Sequence, residues 1–108
     1  MAANPQHVAE LRRLWDLVKR GSLPELAGRE RALQELALYQ SWLGSIAEAA
    51  IESGGKLADE HRKLLEIRQQ EGNRSLWIAA GDLGESARLH LARLLAVEDL
   101  LGKLPVES

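Results

Sequence analysis

The chain has 108 residues, of which 45% are apolar and 28% charged; it contains no cysteine and carries a formal net charge of −2. That length holds one domain around one core, and the apolar fraction argues against disorder. The lack of cysteine excludes disulfides, thiolate metal sites and a thiol nucleophile, while 14 basic and 16 acidic residues of mixed order form no basic stripe for phosphate neutralisation.

Leucine and alanine dominate the apolar set, and phenylalanine is absent. Both lose little rotamer freedom in a helix, so this is a helical vocabulary. No apolar run approaches the ~20 residues that span a bilayer. Met1-Ala2-Ala3-Asn4-Pro5 does not have the basic-then-apolar form of a leader, so a cytoplasmic location without membrane contact is expected.

The first helix is expected over 5–20. Asn4 suits the N-cap, Pro5 the first turn, and Gly21 after Lys19 and Arg20 the stop. Val8, Leu11, Leu14, Trp15, Leu17 and Val18 make its apolar side, with Arg12, Asp16 and Arg20 paired on the wet one.

The second helix is expected over 23–53, opened by a capping box at Ser22-Leu23-Pro24-Glu25 and closed by Gly54-Gly55. Its main stripe runs Leu26, Leu33, Leu36, Tyr39, Leu43, Ile46 and Ala50, with Leu38, Trp42 and Ala49 around a second face. A helix apolar on two sides is central in its domain or in contact with another chain. Gly28 and Gly44 are the places where it could break.

The third helix is expected over 56–80, with Leu57, His61, Leu64, Leu65 and Ile67 on one face. A polar stretch from Arg68 to Ser75 could turn at Gly72-Asn73, but Leu76, Ile78 and Ala79 return to the Leu57 face if the helix is unbroken, and continuity is the expectation. The fourth is expected over 83–103, capped by Asp82 with Glu85 in the capping-box position and ended by Pro105 before a frayed tail, 105–108. Leu83, Ala87, Leu91, Leu94, Leu101 and Leu104 form its stripe. The fold class is therefore all-α, an antiparallel four-helix up-down bundle with the long second helix at its centre.

Polar residues on core faces stand out. His61, Arg68, Glu71 and Ser75 share a side with the leucines of the third helix, as His90 and Glu98 do on the fourth. An antiparallel hairpin turning at Gly81-Asp82 sets Glu98 near Arg68 and His61, and His90 near Gly72. A buried charge needs a partner, so Arg68 is expected to meet Glu98 or Glu71. The set reads first as a structural ion pair with two hydrogen-bonded histidines, and second as polar residues fixing register at an oligomer interface. A metal or catalytic site from His61, His90, Glu71 and Glu98 is a third reading. The Glu-x-x-His pairs of di-iron bundles are missing from it, because Ala58 and Ala87 stand where the glutamates belong.

Trp15 belongs to the first helix's core side, whereas Trp42 and Trp77 fall off their main stripes; with Leu38 and Ala49, the three tryptophans are the interface candidates. Ala80, Gly84 and Ser86 have helix-turn-helix spacing, so residues 76–95 with Arg88 and Arg93 form an alternative DNA-binding reading. Glu85, His90 and Arg93 sit where that motif wants apolar residues. Gly54-Gly55-Lys56 lacks the rest of a phosphate loop, and no elbow motif places a serine for attack. Asn73-Arg74-Ser75 could meet an anion only if a helix starts there. No catalytic residue, metal or cofactor is assigned. The expectation is a non-enzymatic helical module that associates with itself or with a protein partner.

Overall fold

Asn4 opens the first helix in the computed structural model, which describes residues 4–21 and 30–107. Its side chain accepts a hydrogen bond from the Gln6 amide at 2.9 Å, and Pro5 fills the first turn. This helix, α1 (Pro5–Arg20), buries Leu11, Trp15 and Val18 and ends at Gly21. Asp16 pairs with Lys19 rather than with Arg12 or Arg20 as expected, and Glu10 pairs with Arg13.

Helix α2 runs Glu30–Glu52 within the described residues; the Ser22–Glu25 capping box, Leu26 and the suspected break at Gly28 lie outside them. Gly44 does not interrupt it. A Cβ there would stand 2.7 Å from Trp15 Cη2, so the missing side chain admits the indole of α1. Gly54 and Gly55 close α2 with φ of 76° and 96°, and the Gly55 amide reaches back to the Ala50 carbonyl at 2.8 Å.

The third expected helix is two helices. α3 (Asp59–Glu71) and α4 (Arg74–Leu83) part at Gly72, whose φ of 78° leaves the helical region. The expected continuity fails because the polar stretch ahead of Leu76 has no buried face to follow. Leu76 and Ala79 are buried, but Ile78 is 56% exposed, and on α3 only Leu65 is buried while Leu64 and Ile67 face out.

Helix α3 also starts later than expected, because Leu57 is extended. Its amide donates to the Pro105 carbonyl at 2.8 Å, and the Glu107 amide donates to the Leu57 carbonyl at 2.7 Å. This isolated parallel bridge ties down the tail expected to fray, as far as Glu107. The Arg62 guanidinium adds a bond to the Leu104 carbonyl.

The final turn lies at Gly84, not at Gly81-Asp82. Gly84, with φ 110°, donates to the Ala80 carbonyl at 3.0 Å, and α5 (Glu85–Gly102) begins at the next residue. Asp82 therefore lies in the last turn of α4, and the expected Asp82–Glu85 capping box does not form.

The described residues are all-helical apart from that one bridge, with five helices where four were expected. The centre is α5, not the second helix: α5 packs against each of the other four. Its Leu91, Leu94, Val97 and Leu101 are fully enclosed. Leucines so placed contribute roughly 1.5–3 kcal/mol each to the core.

Candidate functional site

Arg68, one turn from the end of α3, holds three helices together. Its Nε lies 3.7 Å from Glu98 Oε1 on α5, and its guanidinium sits 5.1 Å from the centroid of the Tyr39 ring on α2. Nη1 donates to the Gly72 carbonyl at 2.8 Å, and Nη2 donates to Asn73 Oδ1. Tyr39 Oη donates to the same Glu98 oxygen at 2.8 Å. The expected Arg68–Glu98 meeting is thus present, and it also fixes the α3–α4 corner by occupying the carbonyl that the broken helix frees. Asn73 is committed to Arg68 and makes no side-chain cap for α4. Burial, reinforced by the bond to the Glu98 carboxylate, pushes the Tyr39 phenol up, so it stays a donor.

Beside this cluster, and lined in part by its Tyr39, Arg68 and Gly72, lies an open groove of about 330 Å³ whose other walls are Glu35, Leu38 and Trp42 of α2, Glu71 of α3, and Ser75 and Leu76 of α4. Leu38 is 64% exposed on its lip. Trp42 is half-buried and stacks on Tyr39 with ring centroids 6.2 Å apart at 27°. Arg68 lines the groove while its Nε, Nη1 and Nη2 meet Glu98, Gly72 and Asn73. The groove presents an aliphatic lip, an aromatic wall, two rim carboxylates and the Arg68 guanidinium.

The remaining residues singled out from the sequence are dispersed. His90 is buried but not near Gly72. Its Nε2–H donates to Gln40 Oε1 at 2.6 Å, and a side chain on Gly21 would come within 3.2 Å of its Nδ1. The hairpin expectation failed here because α5, as the hub, turns this residue toward α1 and α2 rather than toward α3. Burial first, and the Arg93 charge second, hold its imidazole below the usual histidine range. His61 is half-buried and Glu71 is exposed. Neither joins His90 or Glu98, and no cluster of three potential ligands forms among the described residues.

Trp15 is core: its Nε1–H donates to Glu48 Oε1 at 3.3 Å beneath α2. Ala49 and Trp77 are exposed. Arg88 pairs with Glu85 and lies over Gly81, and Arg93 is half-buried. Asp99, about three turns further along α5, pairs with Lys103, so the exposed charges of α5 are matched within the helix and form no basic stripe. No helix of the described residues is long and apolar enough to cross a membrane.

Sequence reasoning missed Tyr39 and Gln40 as polar partners. A signal existed for Tyr39, since a tyrosine on a core stripe needs a partner for its hydroxyl. None existed for Gln40. No family model matches the chain, and no curated protein or solved structure matches it.

Proposed function

We propose that this chain is a non-enzymatic helical interaction module, an adaptor, regulator or assembly subunit, that docks on another copy of itself through the Leu38–Trp42 strip of α2. The observation that carries this reading is a leucine 64% exposed beside a half-buried indole. Both sit on a helix whose opposite side is anchored in the core through Leu36, Leu43 and Ala47. Large apolar and aromatic side chains held open on a rigid element are the usual anchors of protein interfaces. Ile67 on α3 and Ile78 on α4 are exposed as well.

Light scattering tests it. The wild-type chain should show at least twice the 11.9 kDa chain mass. Trp42→Glu should return it toward the monomer while the helical circular-dichroism signal is kept. A wild-type chain that stays monomeric at every concentration removes the reading.

A further inference from the structure

The geometry points to one arrangement of that pair: two copies of α2 packed antiparallel about a two-fold axis passing between Ser41 and Trp42. This rests on the self-association proposed above and specifies its register.

At the 3.6-residue period, Arg31, Leu38, Trp42, Ser45, Ala49 and Glu52 share one side of α2. All are exposed except Trp42, which is half-buried. The strip is directional. It starts with a cation, continues with two large apolar groups, then two small residues, and ends with a carboxylate. Arg31 and Glu52 are separated by about 31 Å of helix, at 1.5 Å per residue, so they cannot meet within one chain. Neither makes an ion pair among the described residues.

Reversing a second copy against this strip makes it complementary to itself. Arg31 then stands opposite Glu52 of the second copy. Leu38 stands opposite Ser45, and Trp42 opposite Ser41. Each contact occurs twice by symmetry. Large groups facing small ones let the helix axes close to about 8–10 Å. A parallel pairing would instead set Arg31 against Arg31, Glu52 against Glu52 and Leu38 against Leu38. Like charges and like bulk would then oppose one another at every level, which disfavours that orientation.

The chain has no cysteine, so single introduced thiols report the register cleanly. In the antiparallel pair two Ser41→Cys thiols flank the axis, whereas two Ala49→Cys thiols lie about 22 Å apart along it. Oxidation should link Ser41→Cys chains at least tenfold faster than Ala49→Cys chains. Arg31→Glu and Glu52→Arg should each raise the dimer Kd about tenfold, since two symmetric pairs are reversed at once. Combining both changes in one chain should restore the wild-type Kd, because the charges re-pair with signs exchanged. Three results overturn the register while leaving self-association standing: a dimer indifferent to either reversal, a combined variant no tighter than the single ones, or Ala49→Cys linking as fast as Ser41→Cys. A monomeric wild-type chain overturns both.

Discussion

A guanidinium enclosed between an aromatic ring and a carboxylate is stable only while its charge is met, and Arg68 meets Glu98, Tyr39 and the α3–α4 corner together. Removing one member of such a pair leaves the other buried and uncompensated. Arg68→Met should therefore cost about 3–5 kcal/mol in urea unfolding, and Arg68→Met with Glu98→Leu should cost less than the single change. Equal losses would mean the two groups act independently. His90 gives a pH dependence. Its folded-state proton affinity lies below the ordinary value of 6.5, so the unfolded chain binds the proton more tightly. Its contribution is complete above that value and is lost as pH falls below it. The urea midpoint should drop on acidification through this window, and His90→Gln should flatten the slope; an unchanged slope would assign it to other groups. The Arg68–Glu98 pair was legible in the sequence because a charge on a leucine face demands a partner on the facing helix. The bond from His90 to Gln40 was not, because it depends on which side of α5 meets α2.

At the scale of elements, the two ends of α1 and the close of α2 were readable, whereas the Asp82 cap and the breaks at Gly72 and Gly84 were not. Asn4, Pro5, Gly21 and the Gly54-Gly55 pair act as their local chemistry requires. Gly72 and Gly84 were visible as glycines, but whether a glycine ends a helix depends on what the rest of the fold does with the freed backbone groups. At Gly72 that is settled by Arg68, which takes its carbonyl. The tail shows the same dependence. Residues from Pro105 onward look dispensable by composition, yet Pro105 and Glu107 supply both backbone hydrogen bonds to Leu57, a fully buried residue. Deleting residues 105–108 should cost about 1–3 kcal/mol, as expected for two backbone bonds, and should expose the Leu57 amide to rapid hydrogen exchange. Unchanged protection of that amide would show that the bridge is not needed to seat α3.

For the whole molecule, self-association predicts concentration-dependent stability. A chain that folds and pairs should melt at higher temperature as its concentration rises, and Trp42→Glu should abolish that rise while retaining the transition. A midpoint independent of concentration in the wild-type chain would argue for a self-sufficient monomer. The helical class, the caps of α1 and the need of Arg68 for a partner were determined by the sequence alone, because each follows from interactions within a few turns or from the cost of an unpaired charge. Only the tertiary structure decided that α5 is the hub, that Gly72 and Gly84 are corners, and that Leu38 remains outside while Tyr39 beside it is enclosed. Helical periodicity shows which residues share a face. Which face a neighbour covers is a property of chain segments distant in sequence, and α2 carries two apolar faces for its neighbours to choose between.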